Sequence, residues 1–181
     1  MGDEPVLVLD CQGPNGLAMC RTLGKKGLSV TAGGSARYLP GMLSKYTDDA
    51  YVHPDPTVDP TGFVDDLEAH LETESYAVVF AVTDTTTSLL SRHRERLAAT
   101  GTRIGVEDWE TFLAANDKGR LFDIAADLDV PTPQTWTPSS LSDVAAIDDE
   151  RTGRVVVKPR LTTTVDDDGQ VLVNRIDGAN Y

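Results

Sequence analysis

Positive charge is what this sequence has least of. Lysine occurs only at 25, 26, 45, 118 and 158, and Lys+Arg of 16 against Asp+Glu of 29 leaves a formal net charge of −13. A surface this acidic repels a phosphate backbone, which argues against nucleic acid and anionic membrane as partners. No run of about 18 apolar residues occurs, the length a membrane-crossing helix requires. The opening MGDEP has neither the basic nor the apolar region of a secretory signal, so a cytoplasmic location is expected. Cysteine is nearly absent: Cys11 and Cys20 stand too far apart for a CxxC motif and read as reduced structural thiols. His53, His70 and His93 are scattered over a loop and two helices, which argues against a metal cluster or a catalytic dyad. Internal repeats and low-complexity tracts are missing too.

What is present is a regular alternation of apolar runs. Val6 to Leu9 read as a strand buried on both faces, and residues 15 to 26 as a helix with Leu17, Met19, Cys20 and Leu23 on one stripe. Gly27 stops that helix, and Leu28 to Ala32 make a second strand, which completes a βαβ unit. A short strand at 50–52 follows an irregular stretch. A helix then opens on Asp59 and Pro60, with Phe63, Val64, Leu67 and Leu71 as its apolar face. "YAVVFAVTD" at 76–84 is a buried strand, Asp84 can cap a helix carrying Leu89, Leu90, His93 and Leu97, and "RIGV" at 103–106 is a further strand. This spacing predicts an α/β fold with a doubly wound, mainly parallel sheet over residues 1–107.

The texture changes over residues 108–181. Residues 108–129 read as helix in two pieces that break near "AANDKG", and "PTPQTWTPSS" is an extended connector. Ser140 with Asp143 opens a short helix in a capping-box pattern, and Gly153 ends that segment. "VVVKP" reads as a buried strand, and "LTTTVDDDGQVLVNRI" as a hairpin turning at "DDDG". The acids are mostly Asp, with Thr and Ala frequent. That composition suits the salt-rich cytosol of a halophile, where screening makes self-repulsion tolerable; an acidic mesophilic protein is the alternative.

The turn "GPNG" after the first strand carries two glycines where a dinucleotide site of the Rossmann kind has three, and no acidic residue ends the second strand. Ser35 and Arg37 would suit a 2′-phosphate, so an NADP-binding oxidoreductase stays open. The preferred reading is a substrate site. Backbone N–H groups of Gly13, Asn15 and Gly16 face a cleft and touch a substrate carboxylate. Ser44 and Asp84 line the same cleft at the C-terminal ends of strands, although Asp84 also reads as a plain helix cap.

Lys25 and Lys26 lie in the last turn of the first helix, where positive charge suits the dipole. Lys118 and Lys158 are placed differently, one between two helical pieces and one at the end of an apolar strand, where a charge must find water or an anion. The order "ND-K-G-R-L-F…VPTPQTW…VVVKPR" resembles the start of the ATP-grasp fold of carboxylate–amine ligases and carbamoyl-phosphate synthases. The preceding domain is similar to their pre-ATP-grasp, Rossmann-like domain, and 108–181 to the beginning of a partial α+β ATP-grasp subdomain. The resemblance implies ATP and Mg²⁺ as cofactors. It assigns Lys118 to an ATP phosphate, Lys158 to the adenine and α-phosphate, and Arg160 to the same site. It also implies small-molecule carboxylate and amine substrates; a homodimer is a further expectation. Gly169 alone represents the glycine-rich flap of many members, and the Glu and Asn that hold Mg²⁺ in the family would come beyond residue 181. The expectation is therefore the N-terminal part of a larger ligase, inactive alone, with a non-catalytic small-molecule-binding module as a further reading.

Overall fold

The structure, a computed structural model, describes residues 5–150, 155–161, 163–165 and 171–173. The chain forms two compact units. Among the described residues, those up to Phe112 and those from Thr163 to Val173 belong to the first, and those from Leu113 to Leu161 to the second.

In the first unit, Val6, Leu7 and Val8 are buried on both faces, which only a central strand of a covered sheet permits. This strand, β1 (Val6–Val8), pairs in parallel with β2 (Val30–Gly34) on one side and β4 (Val78–Phe80) on the other. β3 (Asp49–Val52) and the two-residue β5 (Arg103–Ile104) form the edges, giving the order β3-β2-β1-β4-β5. Alternation along β1 feeds two apolar layers. Leu7 and Leu9 join Phe63, Val64, Leu67 and Leu71 of α2 (Pro60–Thr73), Leu89 and Leu90 of α3 (Asp84–Arg92), and Leu97 of α4 (Arg94–Ala98). Val6 and Val8 meet Cys20, Met19 and Leu23 of α1 (Pro14–Lys25) on the opposite face. Helices on both faces of a wholly parallel sheet make this the doubly wound α/β fold expected.

Several boundaries differ from the pattern-based expectation, each for a local reason. β2 starts at Val30 because residues 24–28 close α1. Gly27 takes φ 83, and the N–H groups of Gly27 and Leu28 return to the carbonyls of Gly24 and Leu23. β4 ends at Phe80 because the next N–H groups, of Val82 and Thr83, turn to the carboxylate of Asp10. Asp84 is not the helix cap. Thr83 is, its hydroxyl accepting from the N–H of Thr86, while Asp84 is the first helical residue. The single helix expected through Leu97 breaks at His93, where side chains of Ser91 and Arg94 bond the carbonyls of Glu107 and Val106. Asp59 does cap α2, accepting from Gly62 N–H at 2.8 Å.

α5 (Trp109–Asn116) leads out of the first unit, its Trp109 ring under the Arg92 guanidinium at 4.6 Å. In the second unit, α6 (Lys118–Asp127) begins after the break foreseen near "AANDKG". Before α7 (Leu141–Glu150), Ser140 Oγ accepts from Asp143 N–H, and Asp143 accepts from Ser140 N–H at 3.0 Å, a reciprocal capping box. The buried strand expected at "VVVKP" is not formed: Val155, Val156 and Val157 are 47%, 82% and 53% exposed and lie outside any strand. A β-prone run needs a partner ladder. The described strands nearest in sequence, β6 (Thr163–Val165) and β7 (Val171–Val173), pair antiparallel with each other as the expected hairpin. Its turn at 166–169 and the helix stop at 153 lie outside the described residues.

The N–H and O–H groups around Asp143 pull its carboxyl from the usual 3.8 to about 2. A folded value below the unfolded one stabilises α7 at pH above about 4 and loses that contribution as pH falls toward 2. NMR titration of the 139–143 amides should show their shifts moving in that window, and flat shifts would refute the capping role. Gly16 packs so closely on β1 that an added Cβ would lie 2.5 Å from the Asp10 carbonyl oxygen, whereas a Cβ at Gly13 meets nothing within 4 Å. Gly16→Ala should therefore cost about 1–3 kcal/mol in urea unfolding, with Gly13→Ala close to neutral.

Candidate functional site

Strand order reverses between β1 and β4, and in such sheets ligands bind where the C-terminal strand ends part at that point. The first residue of chemical interest there is Asp10, which follows β1 with φ 61 and is 4% exposed. Asp tolerates this left-handed backbone better than most residues. Its Oδ2 accepts from the N–H groups of Val82 and Thr83 at 2.9 and 3.0 Å and from the Thr86 hydroxyl at 2.5 Å, and its Oδ1 accepts from the Thr83 hydroxyl at 3.2 Å. The start of α3, where an anion would otherwise be attracted, is thus already served by a protein carboxylate. Sequence reading passed over Asp10. Its only signal was an acid ending a wholly apolar strand.

The "GPNG" turn is the next element. Gly13 precedes Pro14 at the first position of α1, with an extended φ of −101 open to any residue, so neither space nor conformation demands glycine there. Asn15 is exposed in the first helical turn, and Gly16 is buried against β1. Gly16 is needed for backbone packing. Above the turn, the loop after β2 is tied down by Gly41 N–H to the Cys11 carbonyl at 3.0 Å. Ser44 in that loop is half-buried, its hydroxyl accepting from Tyr46 N–H, and Ser35, Arg37 and Asp84 are exposed. All five expected substrate contacts therefore follow the C-terminal ends of strands: Gly13, Asn15 and Gly16 after β1, Ser44 after β2, Asp84 after β4.

Two features beside this edge were not legible beforehand. Cys11 and Cys20, both fully buried, place their sulfurs 3.5 Å apart. His53 and His70, read as scattered, flank Tyr51, one tilted at 5.3 Å and the other stacked at 3.9 Å between ring centres. Tyr51 donates to Asp66 at 2.6 Å, and burial lowers the basicity of both imidazoles. Among the described residues no group of three His, Cys, Asp or Glu side chains is placed to hold a metal ion. A groove of about 850 Å³ beside β4 and β5, lined by Phe80, Arg94, Arg103 and Val106 among others, contains none of the candidate site residues.

In the second unit the centre is Asp117. Buried between α5 and α6, it caps α6 by accepting from Gly119 and Arg120 N–H, and it accepts from Arg160 Nε at 2.6 Å. The Arg160 hydrogen bond, ahead of the backbone bonds, holds its carboxyl below the usual range. Lys118 follows, its backbone N–H and its Nζ both reaching the Arg160 carbonyl, at 3.2 and 3.4 Å. Gly119 lets the guanidinium lie close, since an added Cβ would stand 3.0 Å from Arg160 Nε. Lys118 and Arg160, 42 residues apart, are thus neighbours, and Lys158 is exposed two residues before Arg160.

No family model matches the chain, and no curated protein matches it by sequence. Solved structures do. N5-carboxyaminoimidazole ribonucleotide synthetase from Thermotoga maritima superposes on 96% of this chain at TM-score 0.59 and 15% identity. An L-amino acid ligase from Bacillus licheniformis matches 97% at TM-score 0.60 and 16% identity, and the biotin carboxylase domain of a single-chain bacterial carboxylase 81% at 0.55 and 18%. The chain spans 41%, 40% and 34% of those three chains, respectively. At such identities the likeness is one of fold alone.

Proposed function

We propose that this chain is the N-terminal portion of an ATP-dependent ligase that activates a carboxylate for attack by an amine. What supports this most is the likeness over nearly the whole chain to a synthetase and an amino acid ligase, together with the Lys118–Arg160 pairing. In the proposed reaction a carboxylate oxygen attacks the γ-phosphorus of ATP, and ADP departs. The amine nitrogen then adds to the carbonyl carbon of the acyl phosphate, and phosphate leaves.

Lys118 and Lys158 act as phosphate ligands, offsetting charge as the triphosphate leaves water. Arg160 adds a third cation, oriented by Asp117. The "GPNG" backbone, Ser44 and Asp84 receive the carboxylate substrate at the C-terminal edge of the sheet. Mg²⁺ would neutralise phosphate charge further; the described residues do not supply its donor set, and the Glu and Asn that hold it in the family belong further along such a chain. Exposed apolar side chains in the second unit also support a larger whole. Leu121 and Ile124 on α6 and Leu128 just past its end are 45%, 41% and 68% exposed, as a domain lacking part of its core would leave them. Among the described residues no helix is long and apolar enough to cross a membrane. A cytoplasmic enzyme of small molecules, in a salt-rich cell, fits the acidic surface.

In the protein purified from its own cells, whose intact mass should exceed that of 181 residues, Lys118→Ala and Lys158→Ala should each lower ATP-dependent phosphate release by about 100-fold. Melting curves should stay superimposable. Wild-type turnover in both variants would sink the assignment. Asp117→Ala removes a helix cap and the Arg160 anchor together. It should destabilise by about 1 kcal/mol and also raise the KM for ATP, whereas a purely structural cap would leave KM unchanged.

A further inference from the structure

Cys11 lies three residues past the end of β1 and Cys20 in the second turn of α1, nine residues on, yet their sulfurs stand 3.5 Å apart with both side chains fully buried. They are the chain's only cysteines, and both are free. The separation is hydrogen-bonding distance for thiols, against about 2.05 Å in a disulfide. The two partners are chemically unequal. Cys11 donates its S–H to the Val8 carbonyl at 3.1 Å while lying within hydrogen-bonding reach of Cys20, and the contact with Cys20 together with burial pushes the Cys11 thiol up. The same contact, assisted by Thr47, draws the Cys20 thiol down, toward the thiolate that attacks oxidants. Gly41 lies over the pair; an added Cβ there would be 2.9 Å from the Cys11 sulfur, so the missing side chain is what lets the loop after β2 close on it.

We infer that Cys11 and Cys20 form a peroxide-sensitive dithiol, a modification site that closes reversibly into an intramolecular disulfide. The oxidant is a hydroperoxide. The Cys20 thiolate attacks the peroxide oxygen, giving a sulfenic acid and, with a proton, water. Cys11 then attacks the Cys20 sulfur, its proton leaving with the hydroxide as a second water. Two thiols and one hydrogen peroxide become one disulfide and two waters, and a thiol reductant reverses the change by exchange. The resulting ring holds Gly13, Asn15 and Gly16 within it and fastens α1 to β1. It therefore fixes the opening turn covalently, whatever the turn binds. The inference stands on the sulfur geometry alone and does not depend on the ligase reading.

The first basic residue is Arg21, so both cysteines fall in one tryptic peptide, residues 1–21. The test treats the folded protein with hydrogen peroxide, blocks free thiols with iodoacetamide under denaturing conditions, and weighs that peptide. The expected result is a peptide lighter by two hydrogens that refuses alkylation until reduced, from a protein still monomeric on a non-reducing gel. Cys11→Ser should stop at a sulfenic acid on Cys20 that dimedone traps, and Cys20→Ser should give no adduct at Cys11. The wild-type peptide mass decides the matter even if a variant does not fold. A doubly alkylated peptide after peroxide would overturn the inference. So would a disulfide between chains, or oxidation that stops at sulfinic acid.

Discussion

The first unit depends on one buried carboxylate. β1 and β4 are joined by backbone ladders, but where those ladders stop the sheet would part, and α3 would begin with unserved donors. Asp10 reaches across and accepts from two backbone N–H groups and two hydroxyls, which sets where β4 ends and α3 starts. Asp10 itself is buried, so these donors are what offset the cost of taking its carboxylate out of water. The crevice of this fold is thus held shut at its root by the chain itself. In the proposed function the substrate is received instead at the outer rim, by the "GPNG" turn and the loop after β2.

The second unit repeats the device with a different aim. Asp117 also joins segments distant in sequence, here by capping α6 while holding Arg160. Where Asp10 is enclosed by neutral donors, Asp117 faces a guanidinium, so the pairing draws positive side chains together on a chain that has few of them. In the proposed ligase these cations would be the ones to meet the triphosphate.

Much of the fold could be read from pattern because local chemistry and tertiary contact agree. The apolar run at β1, the Asp59–Pro60 helix start, the Gly27 stop and the Ser140–Asp143 box each carry their reason within a few residues. What could not be read depended on groups far apart. Nothing local to "VVVKP" says whether a neighbouring strand is there to pair with it. Asp84 looked like a cap because Thr83 was an equally good one, and only the bond to Asp10 decides between them. The sulfur pair and the His–Tyr–His stack are invisible for the same cause. Of the candidate site, residue types were legible at Lys118 and Lys158, but the anchor that positions Arg160 was not. The glycines at 13 and 16 looked alike in sequence and differ in what surrounds them.

The edges of the sheet have a consequence of their own. β5 offers only two residues, and on β3 the N–H of Ala50 is taken by the side chain of Asp49 at 2.7 Å. An exposed strand edge is a template on which a stray chain can add itself. One edge here is too short to serve as that template, and the other carries a carboxylate on its own backbone. Growth of the sheet into fibrils or domain-swapped chains is therefore discouraged at both of its ends.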